Sequence, residues 1–303
     1  MRGTRLRIMQ NIPNQTNLLA AKPILEREHE HCRQEVQKLK AKGIVPSLKI
    51  IVVGDRVENA LYAKKKVDLC AQIGAEAEFI NFPENITEET FTKRVQALND
   101  DPAVHGIIVQ LPVPAHLHVN KIFSLIAPEK DVDGFHPANI NKLYFKEYDF
   151  EHSLLPCTAV ATIQLLNHYK ITLSGKHVVL IGRSFIVTKP LLMMLNDLNA
   201  TVTWCHSKTE KLESVCQSAD IIISATGKSE FINSSFINTH RPVYVVDIGI
   251  ARTKEGKIRG DVDQEAMKTL NNVSYTPVPG GIGPLTVINV VKNLIKCARN
   301  ISK

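Results

Sequence analysis

No apolar stretch of the sequence reaches the ~18 residues that a membrane-spanning helix needs, so a membrane role is not expected. Cysteine is sparse and scattered. The six, Cys32, Cys70, Cys157, Cys205, Cys216 and Cys297, include no C-x-x-C pair, and their spacing fits neither a zinc site nor a dense disulfide framework. They read as reduced, mostly buried thiols in a reducing compartment, which points to the cytoplasm. Internal repeats and low-complexity segments are absent. A basic stripe interleaved with aromatics is also missing, so nucleic acid is not an expected partner. The basic N-terminus, MRGTRLRIMQ, leads into NIPNQTN without an apolar core or a cleavage site. No signal peptide is therefore expected. The first eight residues are expected to be an unstructured extension, with Met9 as an alternative start.

What remains is an ordinary globular composition: 44% hydrophobic and 22% charged residues over 303 positions. At roughly 150 residues per domain, two domains are expected. The net charge of +7 has two readings, a solvated Lys-rich surface or a polyanionic small-molecule ligand.

Short β-branched apolar runs alternate with longer helical stretches, the pattern of an α/β protein with parallel sheets. A first helix is predicted from about Ala20 to Lys42, with Pro23 near its start and Gly43 beyond its end. The strand Leu48–Val53 follows, then a helix from about Glu58 to Ile73 that stops at Gly74. A strand over about Glu76–Ile80, a helix start at Thr87 with acidic residues behind it, and a buried strand at Gly106–Val109 complete the first rhythm. Near Pro156 the character changes. Strands at His177–Ile181, Thr201–Trp204, Ile221–Ala225 and Val243–Ile248, with helices at about Lys189–Leu198 and Thr209–Cys216, read as a Rossmann-like, doubly wound nucleotide-binding domain. A last helix, about Leu285–Arg299, is expected to pack back on the first domain.

Five clusters carry possible chemistry. Tyr62 and Lys66 stand at i and i+4 of the second helix, so one face can present an aromatic plate beside an ammonium group. A partly desolvated Lys has a lowered pKa and suits proton transfer. The plainer reading, a solvated Lys-rich face, outweighs it on these residues alone. Val109-Gln-Leu-Pro-Val-Pro114 lies at the carboxyl end of a strand, where open parallel sheets bind ligands; Gln110 offers an amide there, or the segment is only a strand exit. In Lys130-Asp-Val-Asp-Gly-Phe-His-Pro137, Asp131 and Asp133 alternate and would point the same way in an extended segment. No His or Glu follows at ligand spacing, so no metal is expected. A carboxylate accepting hydrogen bonds from an amino-heterocycle is the functional reading, a turn at Asp133-Gly134 the plain one.

The fourth cluster, Val179-Leu-Ile-Gly-Arg-Ser-Phe-Ile-Val-Thr-Lys-Pro190, is a strand, a glycine turn and a helix start. It lacks the G-x-G-x-x-G pattern. Arg183 directly after Gly182 could hold a 2′-phosphate, and the next strand ends in Cys205-His-Ser-Lys-Thr209 without an acidic residue; both favour NADP over NAD. A bare helix-entry turn is the alternative. The fifth, Tyr275-Thr-Pro-Val-Pro-Gly-Gly-Ile-Gly-Pro-Leu-Thr286, is a stiff, shaped loop that lets backbone approach a flat ligand closely. It is less polar than most linkers.

In order along the chain, Tyr62-x-x-x-Lys66, Val109-Gln-Leu-Pro112, Lys130-Asp-Val-Asp-Gly-Phe-His-Pro137, Gly182-Arg-Ser184, Cys205-His-Ser207 and Thr276-Pro-Val-Pro-Gly-Gly-Ile-Gly-Pro284 resemble the bifunctional methylenetetrahydrofolate dehydrogenase/cyclohydrolases, from about Leu18 to Asn293. The resemblance implies two α/β domains with a cleft between them: a catalytic, folate-binding domain over 9–155, completed by a C-terminal helix at 284–303, and an NADP-binding domain over 156–283. It implies tetrahydrofolate substrates, NADP as cofactor and a homodimer formed through the nucleotide domain. It further implies Lys66 as the acid/base of the cyclohydrolase step, with Gln110 tuning it and Asp133 binding the pterin. Tyr62 would stack on the aminobenzoyl ring. Ala63, Lys64, Lys65, Val109, Leu111, Pro279, Gly280, Gly281, Ile282 and Gly283 would line the folate site. Gly182, Arg183, Ser184, Ser207 and Ile250 would contact the cofactor.

The chain departs from the family's usual pattern at Asn59 (usually Ser), at Ala159 and Ala161 (usually Pro and Gly), at Thr188 (usually Gly) and at Ala251 (usually Asn). Most of these lie in or near the cofactor half, so weaker NADP binding, relieved by Thr188→Gly, is expected. Two other readings remain open on the sequence: an unrelated Rossmann dehydrogenase of amino or hydroxy acids, and a folate- or nucleotide-binding homologue without turnover.

Overall fold

A computed structural model describes residues 17–252 and 256–301, apart from the side chains of Asn17, Val57, Glu58 and Tyr62. The expected N-terminal extension lies outside the described residues.

The chain runs β1 (Asn17–Leu18), α1 (Lys22–Lys40), β2 (Ser47–Val53), α2 (Val57–Ile73), β3 (Glu76–Phe82), α3 (Glu88–Asp100), β4 (Gly106–Val109), α4 (Val119–Leu125), α5 (Pro137–Tyr144) and α6 (Cys157–His168). Then come β5 (His177–Ile181), α7 (Thr188–Asp197), β6 (Thr201–Cys205), α8 (Leu212–Gln217), β7 (Ile221–Ser224), β8 (Val243–Asp247), β9 (Ala251–Arg252), β10 (Ile258–Arg259), α9 (Gln264–Lys268), β11 (Val273–Tyr275) and α10 (Ile282–Ile301). Local chemistry sets several boundaries as the sequence predicts. Pro23 sits in the first turn of α1, Gly74 closes α2 in a left-handed cap, and the Thr87 hydroxyl accepts the Thr90 amide to start α3.

Two parallel sheets form. The first has the order β3-β2-β4; the second has β1-β11-β8-β7-β5-β6. In each, the chain steps outward and then crosses back, leaving a topological switch point: between β2 and β4 in the first sheet, and between β5 and β7 in the second. Crevices at the carboxyl ends of such strand pairs are where open α/β sheets bind ligands.

Alternation along β2 divides the core. Leu48, Ile50 and Val52 face α1, α2, α6 and α10, while Ile51 and Val53 face α3 and α4 with Phe91 and Ile122. The helical layer of α1, α2, α6 and α10 is shared, and its core continues without a break onto one face of the second sheet. α10 packs on α1, α2 and α6, as expected of the last helix. It begins at Ile282, three residues before the predicted start, so Ile282 and Gly283 belong to its first turn rather than to a loop. One feature has no local signal in the sequence. Asn17 and Leu18, ahead of the first sheet in the chain, add a strand to the second, and the Ala21 amide donates to the Gly280 carbonyl at 2.8 Å.

Candidate active site

The first switch point is built by α2 and the exit of β4. The Gln110 amide donates to the Ile51 carbonyl at 2.8 Å, which fixes Gln110 beside β2. Lys66, only 6% exposed, reaches across from α2, and its Nζ donates to Gln110 Oε1 at 2.7 Å. Two turns earlier on the same face of α2, the Asn59 side-chain amide donates to the Pro112 carbonyl at 3.0 Å. Two residues of α2 thus clamp both ends of Gln110–Pro112. Ala63 and Val109 are buried in the cores on either side and have no surface to offer a ligand; they position their neighbours. Lys64 is exposed, and the side chain of Tyr62 lies outside the described residues.

Burial pushes the Lys66 ammonium below the ordinary lysine range, and the nearby carboxyl of Asp133 only partly offsets this. Asp133 is displaced the opposite way: burial raises it to about 7, against the pull of Lys66. The two groups are therefore driven toward the proton affinities that acid–base work near neutrality requires.

Burial raises the Asp131 carboxyl as well, but that group is taken up within its own turn. The segment turns instead of extending, and the Asp131 carboxylate accepts from the Gly134 and His136 amides and from Asn139, at 3.0, 2.7 and 2.9 Å. It organises the turn and leaves Asp133 to the cleft. The tightness of the turn explains Gly134: its φ is +76°, and a Cβ there would lie 2.4 Å from the Leu155 carbonyl carbon. Lys130 is also structural. Its Nζ donates to the carbonyls of Leu98, Asn99 and Asp101, closing the C-terminus of α3.

The Pro/Gly loop forms one wall of a cavity of about 360 Å³. Pro279, Gly280, Gly281, Ile282 and Gly283 line it together with Lys65 of α2 and Ile250 after β8. α1 contributes Leu25 and His29, and α2 adds Asp68 and Gln72. No motif marks these four in the sequence, because they reach the cavity through helix packing. Among the described residues, Lys66, Gln110 and Asp133 do not line this cavity; they form a separate cluster on the other flank of α2.

The second switch point holds the glycine turn. Gly182 follows β5 with φ +129°, and a Cβ there would meet the carbonyl oxygen after β7, on Ala225, at 2.6 Å. The Trp204 indole donates to the Gly182 carbonyl at 2.6 Å and pins the turn. Arg183 is exposed, and its guanidinium donates to the Ser207 hydroxyl at 3.2 Å, so the two predicted cofactor contacts stand together at adjacent strand ends. The narrow backbone cradle beside a solvent-facing guanidinium fits a nucleotide phosphate.

The departure at Thr188 lies inside the helix–strand junction. The residue is fully buried, and its hydroxyl donates back to the Ser184 carbonyl at 2.9 Å, so it offers nothing to a phosphate. Its methyl occupies the space above Gly182, 3.1 Å from where a Cβ would be. The β-branched side chain fills the helix–strand junction.

Two parallel α/β sheets with a buried lysine at one switch point and a glycine-arginine turn at the other define a two-domain nucleotide-dependent enzyme class. Comparison with known proteins narrows this. Residues 19–133 match the catalytic domain, and residues 156–302 the NAD(P)-binding domain, of tetrahydrofolate dehydrogenase/cyclohydrolase. The chain belongs to the tetrahydrofolate dehydrogenase/cyclohydrolase family. It is 41% identical to the bifunctional protein FolD of Oceanobacillus iheyensis, over 94% of this chain and 98% of that protein. Among solved structures, the bifunctional FolD enzyme of Campylobacter jejuni superimposes with a TM-score of 0.88 at 40% identity, covering 94% of this chain and 99% of that one. The Trypanosoma brucei methylenetetrahydrofolate dehydrogenase-cyclohydrolase, complexed with NADP cofactor and inhibitor, gives 0.89 at 30% identity over 95% and 99%. An unrelated Rossmann dehydrogenase is thereby set aside. Among the described residues, no helix is long and apolar enough to cross a membrane.

Proposed function

We propose that this chain oxidises 5,10-methylenetetrahydrofolate with NADP and hydrolyses the 5,10-methenyl product to 10-formyltetrahydrofolate. The observation that carries the reading is the buried Lys66–Gln110 bond at a strand-end crevice, with Asp133 beside it. NADP, when bound, accepts the hydride from the one-carbon bridge. No side-chain base is needed there, because the folate nitrogens stabilise the cation; the protein's task is to position the two rings. Gly182, Arg183, Ser184, Ser207 and Ile250 hold the cofactor, with Arg183 reading the 2′-phosphate. In the hydrolysis, water adds to the methenyl carbon. Neutral Lys66 accepts a proton as the ring opens, and Gln110 holds the amine in place through its amide oxygen. Asp133 accepts hydrogen bonds from the pterin, Tyr62 stacks on the aminobenzoyl ring, and Pro279 to Gly283 line the ligand.

The division into a folate-binding unit over 9–155, completed by 284–303, and a nucleotide unit over 156–283 is part of the same proposal. So are a homodimer through the nucleotide unit and a cytoplasmic location. The test is an absorbance assay with NADP and methylenetetrahydrofolate. NADPH should form only with both present, and the methenyl absorbance should then decay faster than without enzyme. Binding of both ligands with no absorbance change would instead identify a homologue without turnover.

A further inference from the structure

Away from both switch points, α10 carries a polar stripe along one face, buried at Asn289 and Asn293 and partly exposed at Lys292, Lys296 and Arg299. Asn289, Lys292, Asn293, Lys296 and Arg299 recur at three- and four-residue spacing along it. α1 borders the stripe on one side; α6 and the segment 150–155 border it on the other. Two cavities adjoin there, of about 320 and about 370 Å³, and both are lined by Phe150, Lys292 and Lys296.

The first cavity has an unusual lining. It carries three cationic side chains, Arg27, Lys292 and Lys296, and four carboxamides, Gln164, Asn167, Asn289 and Asn293, with His168 at its side. No carboxylate lines it. The charges behind the wall are only partly balanced. Lys292 and Arg27 share a single carboxylate, Glu28, at 2.7 and 3.0 Å. Lys296 donates to the carbonyls of Phe150 and Ser153, at 3.0 and 2.9 Å, and makes no ion pair within reach of a described carboxylate. Burial, followed by the neighbouring Lys292, pushes its ammonium down to about 8. A part-buried cation repelled by another cation in an amide-lined hollow is what an oxyanion would relieve.

We infer that the cavity between α6 and α10 is a binding site for a small oxyanion, a phosphate or carboxylate group held by Lys296, Lys292 and Arg27. Asn289 and Asn293 spend their side-chain N–H groups inside the protein, so Gln164 and Asn167 are the carboxamides that supply N–H donors for the remaining oxygens; the cavity exceeds what one phosphate needs, so the group can be part of a larger molecule. The site is separate from the folate and nucleotide sites and does not rest on their assignment. One residue touches both regions. Asn293 lines the cavity and donates to the Val132 and Leu155 carbonyls at 2.9 and 3.0 Å, directly before Asp133 and across from it.

Inorganic phosphate is the probe, titrated into the full chain by calorimetry against chloride at equal ionic strength. An Arg183→Ala variant run in parallel removes any signal from the nucleotide turn. The wild type and Arg183→Ala should both bind phosphate. Lys296→Gln, which keeps an N–H donor for the two carbonyls but loses the charge, should bind it about tenfold more weakly. Because that change also touches the 150–153 segment, Asn167→Asp is the second variant: Asn167 is exposed, and the substitution sets a carboxylate on the rim. It should weaken phosphate several-fold, with the melting temperature in chloride unchanged. Phosphate binding that vanishes in Arg183→Ala, or that is equal in wild type, Lys296→Gln and Asn167→Asp, would overturn the inference, as would no binding beyond chloride. Succinate in place of phosphate distinguishes the carboxylate source from the phosphate source.

Discussion

The two switch points occupy the same place in their sheets and are built in opposite ways. At the end of β4, the working groups are side chains, buried and tied before any ligand arrives: Lys66 to Gln110, and Asn59 to Pro112. At the end of β5, the working surface is backbone, made narrow by Gly182 against Ala225 and finished by an exposed arginine resting on Ser207. The difference follows from the tasks. Moving a proton near neutrality needs a displaced pKa, and displacement needs burial. Holding a phosphate needs amides at close approach and a flexible counter-charge, which solvent exposure permits.

Substitutions should therefore separate the two regions. The largest effect is expected from Lys66→Ala, which should slow methenyl hydrolysis about 10²–10⁴-fold while NADP affinity stays within twofold by calorimetry. Next, Arg183→Ala should weaken NADP about tenfold to a hundredfold, as the loss of one charge-assisted contact of ~1.5–3 kcal/mol, and leave NAD binding almost unchanged. Equal losses for the two cofactors would show that Arg183 does not read the 2′-phosphate. Gly182→Ala forces a Cβ to within 2.6 Å of a carbonyl oxygen at φ +129°. Strain of ~1–3 kcal/mol should lower affinity for both cofactors by roughly tenfold and spare hydrolysis of added methenyltetrahydrofolate.

The smallest effect concerns Thr188. The sequence predicts that its bulk harms cofactor binding and that Thr188→Gly restores it. Its buried methyl and its bond to Ser184 predict otherwise. Thr188→Gly should cost about 1 kcal/mol of stability, read by denaturant unfolding, and bind NADP no more tightly.

How much of this was legible beforehand depends on range. Alternation and capping are local, so β2, β4, β5 and the start of α3 fall where the residues predict. The motif residues Lys66, Gln110 and Asp133 do gather, because strand ends and a helix face bring them together. Long-range pairing left no mark: β1 joins the distant sheet through two residues, and Leu25 and His29 reach the cavity only because α1 packs on the loop. Equivalent-looking residues also divided by environment. Asp131 and Asp133 are alike in sequence, yet three donors of its own turn claim the first, while the second stands beside Lys66. Lys130, read within a functional cluster, closes a helix.

The central claim is that burial lowers the Lys66 ammonium below the ordinary lysine range and so favours its use as a base. Below its lowered pKa the amine is charged and idle; as pH rises through that value the neutral form appears and hydrolysis rises with it. The most direct test is a ¹⁵N-detected titration of the Lys66 side chain in the folded protein, assigned by its loss in Lys66→Ala. The account predicts a midpoint below the ordinary lysine value of about 10.4, moving back up in Gln110→Glu, where a carboxylate replaces the neutral amide. A midpoint at or above the ordinary value in the wild type would contradict it.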